Sequence, residues 1–378
     1  MNLPPDFEPN GPDKAGVISW VHLGDLHMVR SGEQNFRDLQ AIVSQLNAAF
    51  HQGVSFVYLP GDNADNGSAA AYATVRQALD RLELPWCAIV GDHDVHEKSH
   101  ANFLGFLSRN PHYAFSVGAV RFLALNAFDI PEPPSFAMLP PQLAWLEQQL
   151  AQAQAASERT VLLLHCYPGD LKEGRERLQA LVRQYRPLLI DMGHTHYNEI
   201  ANDGHTLYTA TRSTGQIEEG PVGFSVACID VDLVSWRFFP LGQDPCVLIT
   251  HPGDARLATA PSSTEPVEIR AKIWSGYELA TVTARIDHGS QTPMERIPGS
   301  NVWHCGFEPG ASAARTAIVT VIATTQSNLQ GSDSIRLTRE EEATTSVGAH
   351  EASYALPAWP EHGILGTQLG PNKNGRKW

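Results

Sequence analysis

Over roughly the first two-thirds of the chain, short apolar runs alternate with amphipathic stretches. Val17–Leu23, Val54–Leu59 and Trp86–Val90 are mostly apolar runs of buried-strand length. Phe36, Leu39, Val43, Leu46 and Phe50 recur at three- and four-residue steps, and Val75, Leu79 and Leu82 do the same. That spacing predicts a helix after each of the first two strands. Tyr113–Val117 and Val120–Leu125 read as a hairpin around Gly118, and Leu143, Leu146 and Leu150 mark another helix. Thr160–His165 is a strand, Leu178 to Tyr185 a helix and Leu188–Asp191 a strand, followed by strands at Thr206–Ala210, Phe224–Val231 and Val234–Phe239. Strand–helix alternation that ends in strands predicts an α/β sandwich with mixed sheets.

The pattern changes after Leu241. Gly253 to Pro266 has the Pro, Ala, Ser and Thr content of a linker. Val267, Ile269, Ala271 and Ile273 then alternate with Glu268, Arg270 and Lys272, the signature of a half-buried strand. Similar strands follow at Ala280–Ile286, Val302–Phe307, Ala314–Ala323 and Ser334–Leu337, which predicts a small all-β sandwich. The expected organisation is an N-terminal extension over 1–14, an α/β domain over 15–245, a β-sandwich over 246–342 and an extended tail over 343–378. Trp359 and Trp378 suggest that the tail docks on the body of its own chain.

Composition narrows the class. A chain of 378 residues with 42% apolar and 18% charged residues is globular and long enough for two domains. No apolar run reaches the roughly 18 residues of a membrane span, and Met1 to Pro12 lacks the basic and apolar regions of a secretory signal. Five cysteines without CxxC spacing (Cys87, Cys166, Cys228, Cys246 and Cys305) argue against a disulfide framework or a thiolate zinc site, so the cytoplasm is expected. The net charge is −14, of which −12 falls on residues 1–245. An acidic chain without a basic stripe disfavours duplex nucleic acid as a partner. Sixteen histidines suggest metal.

The chemistry gathers at strand ends. Val17–Leu23 runs into Asp25 and His27, Val54–Leu59 into Asp62 and Asp65, and Trp86–Val90 into Asp92, His93 and Asp94. Thr160–Leu164 runs into His165, and Leu188–Asp191 into Gly193-His194-Thr195-His196. The carboxyl ends of strands line the ligand crevice of open α/β sheets, so these groups should converge. Carboxylate and imidazole without thiolate suit Mn, Fe, Zn or similar ions.

Apart from Asp92, the order of these residues follows D-x-H, G-D-x-x-D, G-N-H-[DE], H, G-H-x-H and resembles the calcineurin-like metallophosphoesterase family, and within it the bacterial class III cyclic-nucleotide phosphodiesterases. The resemblance spans about Val17 to Gly242; the sandwich more loosely resembles appended Ig- or fibronectin-like domains. It implies two mixed β-sheets packed face to face and flanked by helices. It implies that Asp25, His27 and His196 hold one metal ion, that Asp92, His165 and His194 hold a second, and that Asp62 bridges both. A metal-bridging hydroxide would attack the phosphorus of a small phosphoester while His93, off the metals, protonates the leaving oxygen. Asp94 is expected to orient His93, with Asp65 and Asp191 as supporting carboxylates.

Asp92 departs from the family, which has Asn there. Two divalent ions, three aspartates and one hydroxide sum to zero charge, against +1 with Asn, so Asp92 points either to a trivalent ion, iron beside Mn, Zn or a second iron, or equally to weakened or altered chemistry. His96 and His100 are candidates to reach the cleft, but a surface helix start is the preferred reading for them. Cys166 reads as buried rather than reactive. The Pro-rich segment Phe128–Pro141 is a candidate cleft wall, and Arg212 a candidate phosphate contact. A phosphodiesterase is the leading reading. A phosphomonoesterase on the same site, and a weakened metallophosphoesterase-fold scaffold, remain open, as does the oligomeric state.

Overall fold

The computed structural model describes residues 7–130, 132, 135–258, 267–307, 316–338 and 355–365. The chain starts with three parallel strands, β1 (Ile18–His22), β2 (Phe56–Leu59) and β3 (Trp86–Ala88). α1 (Gln34–Gln45) and α2 (Ala69–Leu79) follow the first two, and α3 (Ala101–Phe106) follows the third. The chain then crosses to a second sheet made of β4 (Tyr113–Val117), β5 (Val120–Ala124), β6 (Arg159–Leu164), β7 (Leu189–Met192), β8 (Glu199–Asn202) and β9 (Leu207–Ala210). α4 (Pro140–Ala155) precedes β6, and α5 (Arg175–Tyr185) precedes β7. A hairpin, β10 (Gly223–Asp230) and β11 (Leu233–Pro240), returns to the first sheet.

Among the described residues the first sheet has the order β11-β10-β1-β2-β3 and the second β4-β5-β6-β7-β9-β8. Both are mixed, as the pattern predicts. β1 and β2 are buried on both faces, so their sequences are nearly unbroken in apolar character. Their side chains still divide by period two. Trp20, Phe56 and Tyr58 enter the core between the sheets with Phe122, Val161 and Leu163. Val21, Val57 and Leu59 face the opposite way, into a core shared with Phe36, Leu39, Ile42 and Val43 of α1.

The remaining strands are β12 (Cys246–His251), β13 (Val267–Trp274), β14 (Leu279–Ile286), β15 (Thr292–Pro293), β16 (Glu295–Arg296), β17 (Val302–Phe307), β18 (Thr316–Thr325) and β19 (Gln330–Thr338). They form two further sheets, β12-β13-β17-β16 and β15-β14-β18-β19, over a core that includes Val247, Ile249, Ile269, Ile273, Val319 and Val321. β12 was not expected as a strand, and it pairs antiparallel with β13. The stretch read as a linker is therefore a connection inside the sandwich; its residues 259–266 lie outside the described set. The sandwich packs on the first sheet. Trp274 stacks on Phe50 with centroids 5.1 Å apart, buried Lys272 pairs with Asp13 at 2.8 Å, and Arg270 pairs with Asp230 at 3.0 Å.

Of the tail, residues 355–365 are described. They dock on the chain's own body, as expected from Trp359; Trp378 lies outside the described residues. Leu356 N–H donates to Ile200 at the edge strand β8, and Trp359 and Ile364 are buried.

Candidate metal centre

All seven candidate ligands lie just beyond the carboxyl ends of strands, and the two sheets share them. The first sheet delivers Asp25 and His27 after β1, Asp62 after β2 and Asp92 after β3. The second delivers His165 after β6, and His194 and His196 after β7. The structure brings these residues together as two groups of four: Asp25, His27, Asp62 and His196, and Asp62, Asp92, His165 and His194. Within each group one donor atom per residue lies within 4.8 Å of the others, and Asp62 belongs to both. His27 Nε2 is 2.9 Å from His196 Nε2 and 3.7 Å from Asp62 Oδ2. In the other group, Asp92 Oδ1 is 3.2 Å from His165 Nε2 and 3.3 Å from His194 Nδ1.

The backbone is strained to achieve this. His27, Asp62, His194 and His196 have φ of 41°, 50°, 67° and 61°, the left-handed region that non-glycine residues rarely occupy. Two glycines allow the close approach. A Cβ on Gly91 would overlap the Asp62 carboxylate, and one on Gly193 would overlap Asp25 Oδ1.

The electrostatics suit cations. Burial, with repulsion from Asp62 and Asp92, pushes the Asp25 carboxyl up to about 8, and its Oδ1 is buried without a hydrogen-bond partner. Burial would also raise Asp92, but bonds from His165 and His194 outweigh it and hold the group ionised. Burial lowers His27, and burial with the neighbouring His27 brings His196 to about 4, so both rings are neutral and able to ligate. Three converging carboxylates, four imidazoles and an orphaned carboxylate oxygen fit two metal ions with nitrogen and oxygen ligands.

His93 stands at the edge of this centre with its side chain 40% exposed. Its Nδ1 donates to the Asp65 carbonyl at 2.8 Å, and its ring meets that of His27 edge-on at 4.6 Å. A carbonyl oxygen only accepts, so the proton on Nδ1 is fixed and Nε2 is left for other work. Burial lowers the basicity of His93, but Asp62 and the Asp65 carbonyl raise it further, for a net upward shift.

Several expectations need correction. Asp94 does not orient His93. Its carboxylate is fully buried and accepts from Gly91 N, Ala64 N, Asn63 Nδ2 and the Tyr72 hydroxyl, so it fixes the turn between Asp62 and Asp92. Asp65 is the residue that holds His93, through its backbone, while its Oδ1 lies 3.3 Å from His27 Nδ1. Asp191 lies below the site, between the sheets, bonded to Trp20, His22 and Thr209. Arg212 is not open to a phosphate: it is 1% exposed and donates to the carbonyls of Glu219 and Gly363.

Of the other candidates, His96 is exposed and faces the Asn66 carbonyl, and His100 stands at the N-cap position of α3. Cys166 is fully buried. From the Pro-rich segment, Phe136 sets its ring 4.8 Å from that of His194 and is backed by Phe128 at 4.9 Å, so this wall packs on a candidate ligand. Pro131, Pro133 and Pro134 lie outside the described residues. Sequence reasoning missed Asn198, a fully buried amide two residues after His196; the only signal was its position directly behind the Gly-His-x-His turn.

Paired mixed sheets carrying two ligand groups around one shared carboxylate define a metallophosphoesterase fold. Residues 19–198 match the model of the calcineurin-like phosphoesterase family. A probable cyclic nucleotide phosphodiesterase from Synechococcus is 29% identical over 243 residues, which cover 59% of this chain and 91% of that protein. A probable glycerophosphodiester phosphodiesterase from Arcobacter nitrofigilis is 24% identical, over 47% of this chain and 71% of that one. A dimetal phosphatase from Danio rerio shares the fold, with a TM-score of 0.50 and 17% identity over 58% of this chain and 95% of that one.

Proposed function

We propose that this protein is a dinuclear metal-dependent hydrolase of small phosphodiesters, in a catalytic unit over residues 15–245 to which the 246–342 sandwich is appended between a 1–14 extension and a 343–378 tail. The observation that carries this reading is the pair of ligand groups joined through Asp62, with His93 beside them and off both. Asp25, His27 and His196 would hold one ion, Asp92, His165 and His194 the other, and Asp62 both. When bound, two such ions supply Lewis acidity at phosphorus and hydroxide at neutral pH. His93 is the general acid: with Nδ1 anchored on the Asp65 carbonyl, the ring in its imidazolium form, favoured by the upward shift, passes its Nε2 proton to the leaving alkoxide and returns to neutral imidazole. The names of the relatives support a diester, cyclic or glycerol-based.

The rim carries partly exposed carboxylates, Asp65 at 37% and Glu218 at 51%, which admits a small ester and repels a duplex. Five free cysteines support a reducing compartment, the cytoplasm. Asp92 supports iron in one position, paired with Mn, Zn or a second iron.

The test is metal analysis of protein purified without chelator, with rates on an aryl phosphodiester and an aryl phosphomonoester. Two ions per chain and a faster diester rate are expected. A faster monoester rate would make it a phosphomonoesterase, and metal-free inert protein would make it a scaffold. Asp92→Asn should shift occupancy from iron toward two divalent ions; unchanged occupancy would remove the charge argument.

A further inference from the structure

The loop that carries His194 and His196 is gripped from outside by the C-terminal segment. Asn198 accepts from Arg212 N–H through Oδ1 at 2.8 Å and donates through Nδ2 to the Gly363 carbonyl at 3.0 Å. Arg212 donates to the same carbonyl through Nη2 at 2.6 Å, and its guanidinium lies 4.3 Å above the Phe238 ring. One tail carbonyl thus serves two buried donors from two loops. Losing it leaves an amide and a guanidinium partly unpaired inside the protein, a cost well above that of an exposed contact.

The residues after Arg212 hold Asp25. Ser213 Oγ, Thr214 N and Gly215 N all donate to the Asp25 carbonyl, at 2.8, 3.1 and 2.9 Å. A Cβ on Gly24 would overlap the Arg212 carbonyl oxygen, so the chain entering Asp25 lies directly against Arg212. Asp25 and His196 belong to the same ligand group. In the other group His165 and Asp92 are held elsewhere: His165 Nδ1 lies 2.7 Å from the Pro60 carbonyl, and the Asp92 turn rests on Asp94, so of its members only His194 lies on the gripped loop.

At its far side the segment is fixed to the sandwich. His362 is buried, with Nδ1 2.8 Å from the Trp236 carbonyl and Nε2 2.8 Å from Asp333 Oδ1 on β19. Trp359 stacks on His362 at 3.6 Å and carries the Arg256 guanidinium at 3.4 Å.

We propose that residues 355–365 form a strap that positions the Asp25–His27–His196 end of the metal centre through Gly363, Asn198 and Arg212. The affinity of that end then depends on the strap being seated on Asp333. This rests on the two-metal reading above. Asn198 and Arg212 are positioning residues, acting through the backbone of the ligand loops and never on the substrate.

The experiment is equilibrium binding of Mn(II) to the full chain, with hydrogen exchange at Thr214 and Gly215 as a readout that needs no turnover. Wild type should bind two ions. His362→Ala should weaken one ion by about 10- to 100-fold, the usual effect of losing a supporting contact, and leave the other within about twofold. Thr214 and Gly215 should exchange faster. In a His196→Ala background, where that end is already broken, His362→Ala should change the remaining affinity by less than about twofold. Asn198→Asp keeps the acceptor for Arg212 N–H but sets a charged oxygen, in place of the donor, against the Gly363 carbonyl, so it should reproduce the one-ion loss should His362→Ala fail to fold. Two ions bound as tightly as in wild type, or both weakened equally, would overturn the strap's role and leave the metal centre standing. Fewer than two ions in wild type would overturn the metal reading itself, and the strap's role with it.

Discussion

The edge that carries the candidate metal ligands and the β-sandwich both use left-handed backbone, for opposite ends. In the sandwich, positive φ falls on Asp287, Asn328 and Gly299, residue types that tolerate it in turns, and Asp287 and Asn328 are exposed. Asp287 uses its side chain to accept from Ile318 N. At the metal edge it falls on three histidines and on Asp62, none of them fully exposed, with Asp62 and His27 buried. Strain that closes a turn is cheap in one place. In the other it is held by the surrounding structure so that donor atoms meet, which marks a site built for binding rather than for folding.

If that contrast is right, changes at the edge of candidate ligands should remove chemistry and spare the fold, and changes in the sandwich away from the strap's seat at Asp333 should do the reverse. The largest effect is expected from Asp62→Ala, which should lower bound metal to one ion or none and abolish hydrolysis. Metal analysis of a cooperatively melting variant checks it, and two retained ions with near-normal turnover would break the assignment. His93→Ala comes next: metal content unchanged and turnover lower by about 10²–10⁴, less for esters whose leaving group is already a weak base. A His93→Ala protein that had lost an ion would show this histidine to be a ligand instead.

On the sandwich side, Trp274→Ala removes the ring stacked on Phe50 and should cost about 3–5 kcal/mol of stability. Rates measured well below the melting temperature should stay within about threefold of wild type. A large rate loss with little loss of stability would erase the distinction between the regions. The smallest effect concerns pH. Burial would raise the Asp333 carboxyl, but His362 and Arg237 outweigh it and bring it to about 2. A depressed folded value stabilises the protein above the unfolded value near 4 and is lost as pH falls through about 2, a loss of about 2 kcal/mol. Denaturant melts between pH 5 and pH 2 should show it, and Asp333→Asn should flatten that part of the curve.

Much of the candidate site is legible because each candidate ligand lies within a few residues of a strand end and is chemically distinctive. Register within the turns was not. Asp94 adjoins His93, yet the short 3-10 turn over Asp92–Asp94 sends its side chain inward, and the partner of His93 is a backbone carbonyl 28 positions earlier. Backbone acceptors leave no mark on a sequence. β12 carries no strand signature because Val247, Leu248 and Ile249 are consecutive apolar residues without alternation, just before a linker-like stretch. The strap is aperiodic for a physical reason: Leu356, Trp359, His362 and Gly363 each meet a different part of the body, so no repeat arises.

Apolar cores have little directional preference, and two sheets in contact through them alone could slide by a fraction of a side chain at small cost. Here one carboxylate opposes that motion. Asp191 on β7 accepts from Trp20 Nε1 at 2.9 Å and meets His22 Nδ1 at 2.8 Å, both on the facing sheet, while Thr209 of its own sheet donates at 2.9 Å. Because one sheet brings the aspartates and the other most of the histidines, any slip between them would become an error in the separation of the donor atoms. Asp191 thus works as an alignment dowel: buried below the centre, it sets how accurately two independent halves of a coordination shell face each other.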